Sequence, residues 1–345
     1  MNPIALSMIL SSLALGTILT VSSNHWFLAW MGLEINTLAI IPLMAQNHHP
    51  RAVEASTKYF LTQAAASALL LFSALNNAWF TGEWSIMNLT NSISCTTMTI
   101  AICMKLGLAP FHFWLPEVLQ GLNLTTGLIL STWQKLAPMA ILYQISPSMN
   151  TSLLLLIGLT STLIGGWGGL NQTQLRKILA FSSIAHLGWM ASILPIMPQL
   201  MILNLIIYLI MTSTLFLTLK TISSTKISTL ATSWPKTPTT TALTLLTLLS
   251  LGGLPPLSGF MPKWLILQEL TNQNTPILAT MLALSALLSL FFYLRLSYSI
   301  TLTSSPNTSN SPLTWRHNSK QPTTLLSLML ISSFFLLPIS PLMMS

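Results

Sequence analysis

No aspartate occurs in this chain of 345 residues, the five acidic residues are all glutamates, and valine appears only as Val21, Val53 and Val118. Charged residues make up 5% of the total, against about a quarter in soluble domains. That scarcity excludes an ordinary water-soluble fold. The only cysteines, Cys95 and Cys103, exclude a disulfide scaffold and any cluster held by thiolates of this chain alone. The formal charge is +8, yet no dense basic cluster marks a nucleic-acid surface. No dinucleotide fingerprint, phosphate loop or metal-ligand motif is present. His112 stands alone and His48 and His49 are adjacent, so facing helices with paired haem ligands are not expected. The opening Met-Asn-Pro-Ile-Ala-Leu-Ser-Met has neither a basic leader nor an Arg-rich presequence. Valine and aspartate codons both begin with G, so their scarcity fits a G-poor coding strand, as in an organelle genome.

What the chain has in abundance is apolar surface, with 52% hydrophobic residues. These residues form uninterrupted runs, each long enough for a helix to cross roughly 30 Å of hydrocarbon. They do not alternate with polar residues as the strands of a membrane β-barrel do. The expected fold is therefore all-α and polytopic, with about eleven transmembrane helices. The runs lie near Pro3 to Val21, Trp26 to Ala45, Tyr59 to Leu75, Met87 to Trp114, Leu124 to Ile145 and Ser152 to Leu170. Further runs lie near Ile178 to Leu194, Leu200 to Leu219, Thr241 to Leu267, Ile277 to Ile300 and Leu325 to Leu342. Lys220 to Thr240 and Thr301 to Thr324 read as surface loops.

Loops facing the cytoplasm or its equivalent carry the excess of Lys and Arg. With eleven spans, Arg51, Lys58, Arg176, Lys177, Lys220, Lys226, Lys236, Arg295, Arg316 and Lys320 all fall on the side of the N-terminus. The opposite loops, around Ser23, Asn77, Ser146 and Pro195, contain no Lys or Arg.

Lys105, Lys135 and Lys263 remain inside spans, with Glu34 and His186. A lysine at a helix centre costs about 2.5 to 3.5 kcal/mol on insertion scales, so such residues are functional by default. Glu34 reads as a proton-accepting carboxylate paired with a buried lysine, or as an acid that only bonds a neighbouring helix. Lys135 and Lys263 have snorkelling to the headgroups as their bland reading. His186 could be a hydrogen-bonded core histidine, and its functional reading rests on the titration of imidazole near neutral pH. Gly107, Pro110 and Pro116 should interrupt the span that carries Lys105, and Gly252 to Lys263 should hold a second interruption. Broken helices at membrane depth line cavities or are buried in protein. Two in corresponding positions point to an inverted repeat around an ion site.

A repeat of five helices follows, with residues 1–145 as one copy, 146–300 as the inverted copy, and 301–345 as a polar loop with a C-terminal helix. Glu34 then corresponds to His186, and Lys105 to Lys263. Lys135 has no titratable counterpart, because Arg295 lies near the end of its span.

At these residues the chain resembles the NADH dehydrogenase subunit 2 family, the antiporter-like membrane subunits of mitochondrial respiratory complex I. The resemblance covers essentially the whole chain, most specifically Lys105 to Val118, Trp133 to Pro138 and Gly252 to Trp264. It implies a share in proton translocation coupled to electron transfer from NADH to ubiquinone in other subunits. It also implies a proton relay of Glu34, Lys105, Lys135, His186 and Lys263. FMN, iron-sulfur clusters, NADH and ubiquinone would belong to the complex and not to this chain. The implied partners are neighbouring antiporter-like and small membrane subunits and the lipid bilayer. The implied location is the mitochondrial inner membrane, with the N-terminus in the matrix. A stand-alone cation/proton antiporter, and a structural membrane-arm subunit that does not pump, are the alternatives.

Overall fold

A computed structural model of the chain describes residues 2–46, 49–234, 237–302 and 323–339. His48, Lys236, Arg316 and Lys320, with most of the loop expected over 301–324 and the end of the last span, lie outside the described residues. Among the described residues all regular elements are helices, with two isolated antiparallel bridges, His25 with Ser85 and Gln174 with Lys226. Helices dominate because backbone groups in lipid must find their partners within the segment. The chain forms two compact units, Met1–Ser161 and Thr162–Ser345.

The first unit holds α1 (Pro3–Ser22), α2 (Trp26–Met44), α3 (Pro50–Thr81), α4 (Ser92–Leu106), α5 (Trp114–Gly121), α6 (Leu124–Ser131) and α7 (Trp133–Ile145). The division between the units falls inside α8 (Thr151–Gly169), whereas the apolar runs alone suggest a boundary before it. Helices α1 and α2 touch through their backbones. A Cβ on Gly16 would stand 2.9 Å from the carbonyl oxygen of Gly32, and one on Gly32 would stand 2.9 Å from that of Gly16. Small residues at such a crossing let two membrane helices approach closely.

Three expectations change in this unit. Helix α3 has 32 residues, about 48 Å at the usual rise, so it extends well beyond the apolar run from Tyr59 to Leu75. Its extra turns carry Arg51, Glu54 and Lys58, which are too polar to register as part of a span. Pro116 does not break the fourth span. It sits in the first turn of α5, where proline fits because its missing N–H has no intrahelical partner. The fifth span is broken at Thr132, which separates α6 from α7. The Leu128 carbonyl accepts from both the Thr132 hydroxyl, at 2.7 Å, and the Thr132 N–H, at 3.0 Å.

The second unit continues with α9 (Leu175–Ile193), α10 (Pro198–Ile222), α11 (Ile227–Ala231), α12 (Pro238–Gly252), α13 (Phe260–Asn272), α14 (Pro276–Leu302) and α15 (Thr324–Ile339). The short α11 occupies part of the connection that reads as a loop. Many of the abundant hydroxyls are satisfied within their own helices. Along α12, Thr244 donates to Thr241 O at 2.7 Å, Thr247 to Thr244 O at 2.9 Å and Ser250 to Thr247 O at 2.7 Å. Such bonds let a Thr-rich segment remain buried. In the last third of α14 the Arg295 guanidinium is exposed and donates to Leu170 O at 2.6 Å, where it caps the chain leaving α8.

Candidate functional site

Both interruptions form, and each begins on a left-handed glycine. Gly107 closes α4 at φ 76° and Gly253 closes α12 at φ 82°. L-residues avoid this conformation. The glycine N–H groups bond back to Cys103 and Met104 and to Leu249 and Ser250, respectively. A cis X-Pro bond follows in each, Ala109-Pro110 and Pro255-Pro256, before α5 and α13 resume.

Aligned on their glycines, the segments match further than the charges alone suggest. Leu106 matches Gly252, Pro116 matches Pro262, and Lys263 stands as far past Gly253 as Glu117 stands past Gly107. The break register therefore pairs Lys263 with Glu117 and Lys105 with Leu251, not Lys105 with Lys263. Pairing by charge type hides this, although Leu-Ala-Pro-Phe-His-Phe-Trp-Leu-Pro-Glu and Leu-Pro-Pro-Leu-Ser-Gly-Phe-Met-Pro-Lys carry the signal.

A helix end leaves carbonyls without intrahelical partners, and in both breaks a lysine meets them. Lys135, on the first turn of α7, donates from Nζ to Leu106 O, and its ammonium lies 5.6 Å from the Trp114 ring centroid. Such a cation over an aromatic face adds electrostatic attraction. Lys263, on α13, donates to Gly252 O at 3.0 Å and reaches Leu251 O at 3.5 Å. With 2% and 9% of their surface exposed, neither lysine snorkels. Both stems lie in protein and both ammoniums turn inward. Glu269 takes no part in holding Lys263, whose bonds go to backbone.

Lys105 differs. It is on the last turn of α4, is 5% exposed, and its Nζ has no hydrogen-bond partner among the described residues. It lines a cavity of about 20 Å³ with Leu33, Asn36, Tyr59, Gln63, Gln134 and Lys135. Glu34 is not bonded to Lys105. The Glu34 carboxylate is half-buried on α2, with Oε2 at 3.2 Å from the Thr37 hydroxyl. The expected Glu34–Lys105 pair is thus not a contact among the described residues.

In the second unit His186 on α9 and Lys263 line a smaller cavity with Asn204 and Tyr208. The rings of His186 and Tyr208 are 5.7 Å apart between centroids. His112 lies within the first break, where its buried Nδ1 has no partner among the described residues. Among the described residues no three His, Cys, Asp or Glu side chains gather as metal ligands. Neither the Thr132 break nor the carboxamides Asn36 and Gln63 carry a signal along the sequence, since a polar amide or a threonine in an apolar run is unremarkable.

The family "NADH:quinone oxidoreductase/Mrp antiporter, TM" matches residues 23–289, and "NADH dehydrogenase subunit 2 C-terminus" matches residues 290–344. The chain is 82% identical to NADH-ubiquinone oxidoreductase chain 2 of Xenopus laevis over 99% of both chains. It is 65% identical to that of Salmo salar, over 99% of this chain and 98% of the relative. Respiratory complex I of Thermus thermophilus contains a chain of similar structure, with a TM-score of 0.82 and 25% identity, covering 99% of this chain and 80% of that one. The Mrp complex of a Dietzia species contains another, with a TM-score of 0.83 and 18% identity over 95% and 73% of the two chains. These matches and the paired broken helices together establish that the chain belongs to the NADH dehydrogenase subunit 2 family.

Proposed function

We propose that Glu34, Lys105, Lys135, His186 and Lys263 are the proton-carrying groups through which this chain does its part in NADH:ubiquinone oxidoreductase. As a member of its family, it is an antiporter-like membrane subunit of that proton-pumping complex, alongside the other complex I subunits. NADH, FMN, the iron-sulfur clusters and ubiquinone are handled elsewhere in the complex. The observation that carries the relay reading is Lys105, an enclosed amine with no hydrogen-bond partner, beside a cavity that a second lysine also lines. An ammonium held by fixed bonds resists losing its proton. One without them can exchange it as nearby charges change, and Glu34 supplies such a charge.

Lys105→Met retains the bulk and removes the titrating group. The assembled complex should move fewer protons per electron or, if coupling is tight, reduce ubiquinone more slowly. Lys105→Arg should fail likewise, because guanidinium stays protonated. Normal rate and normal proton ratio in either variant would sink the relay.

The orientation belongs to the same proposal. The N-terminus, the helix ends that carry Arg51 and Arg176, and the connection that holds Lys226 face the mitochondrial matrix, a reading supported by the one-sided distribution of basic residues. A membrane-impermeant amine reagent applied from the matrix side should label Lys226 in intact vesicles. Labelling only from the opposite side would reverse the topology.

A further inference from the structure

Asn36 on α2, Gln63 on α3 and Lys105 on α4 converge on the cavity of the first unit. Asn36 is 2% and Gln63 4% exposed. Both polar atoms of the Asn36 side chain, Gln63 Nε2 and Lys105 Nζ have no hydrogen-bond partner among the described residues. One buried polar group without a partner costs about 1–3 kcal/mol, and here three side chains would incur that cost at one place. A water molecule needs about 10–15 Å³ and two to four polar partners. The cavity, at about 20 Å³, meets both conditions. Gly16 contributes to the arrangement, because a Cβ at that position would stand 2.6 Å from Asn36 Oδ1. Gln134 adds a further restraint, its Nε2 donating to the Asn36 backbone carbonyl at 3.3 Å.

We propose that Asn36 and Gln63 hold an ordered water against Lys105, and that they are positioning residues for proton transfer between Lys105 and Lys135. The role in transfer rests on the relay reading above; the water site does not. Gln63 Nε2 donates to the water, and the water donates to Asn36 Oδ1. Protonated Lys105 donates to the same water, whereas neutral Lys105 accepts from it. The cradle therefore serves both protonation states of the lysine. For transfer, an N–H bond of Lys105 breaks as the water gains that proton. The water gives up another proton to the neutral amine of Lys135, and it ends unchanged. Lys135 leaves the Leu106 carbonyl to accept it.

The test is a map of the assembled complex fine enough to show waters, for wild type and for Gln63→Leu and Asn36→Leu. Density for a water bonded to Asn36, Gln63 and Lys105 is expected in wild type and should be lost in the variants. Normally assembled variants should transfer protons about tenfold more slowly, the effect of losing one hydrogen-bond partner. A dry cavity in the wild-type map would overturn the water site, whatever the variants do. Loss of the water with proton transfer unchanged would overturn the positioning role. If a variant does not assemble, the wild-type map decides the site, and Gln63→Met, which keeps an unbranched side chain, takes its place for the rate. Failure of the relay reading would appear separately, as normal pumping by Lys105→Met with the water still present.

Discussion

The two broken helices solve one problem with different residues. In the second unit the break is closed from within its own span, since Lys263 on α13 bonds the carbonyls at the end of α12. In the first unit the matching position on α5 is Glu117, which turns outward and pairs with Lys58 at 2.7 Å in an exposed contact. The open carbonyl of Leu106 is met by Lys135, from α7. The flanking residues differ too. Ser258 of the second break donates to Ser333 O on α15 at 2.5 Å, whereas His112, at the matching place in the first, has an unpartnered Nδ1 among the described residues. A lysine at each break thus has a structural part in sealing a helix end. Lys105 is the additional amine that the first break contains and the second does not, since the residue matching it is Leu251.

The sharpest way to break the comparison is at Gly259. A Cβ there would stand 1.8 Å from the backbone oxygen of Ser250, so the second break is closed by backbone contact. The matching Phe113 in the first break is exposed. Gly259→Ala should cost at least about 3 kcal/mol and strongly reduce the amount of assembled complex on a native gel, whereas Phe113→Ala should leave that amount near normal. Equal behaviour of the two variants would show that the breaks are packed alike.

A smaller effect separates the capping lysines from Lys105. Lys135→Met and Lys263→Met each leave a buried carbonyl without its donor, an expected loss of about 1–3 kcal/mol. Thermal inactivation of the assembled complex should come earlier in both. An unchanged inactivation profile would mean that the bonds to Leu106 and Gly252 contribute nothing to stability.

Much of this was legible in the residues. The spans announce themselves because Lys, Arg and Glu are so rare that long apolar runs stand out, although their ends do not. The three intramembrane lysines stand out for the same reason. What each lysine touches was not legible. Lys263 and Lys105 look equivalent as charges, and the register that separates them comes from the left-handed glycines and the prolines that follow. The turns of α3 before Tyr59 are helical but polar, so a hydropathy reading trims them. The Thr132 break has no signal of its own, because threonine is common throughout the chain and makes the same hydroxyl bond to the carbonyl four residues back inside unbroken helices, as Thr62 and Thr212 do. Asn36 and Gln63 acquire meaning only when α2, α3 and α4 bring them to one cavity, which no spacing along the chain encodes.

The central claim is that Lys105 titrates while Lys135 and Lys263 also hold the breaks together. It is tested most directly by measuring protons moved per electron, at matched amounts of assembled complex, in Lys105→Met against wild type. The account predicts normal assembly and thermal stability, with a reduced proton ratio or, under tight coupling, a reduced rate of ubiquinone reduction. Normal pumping, or a collapse of assembly like that expected of Gly259→Ala, would contradict it.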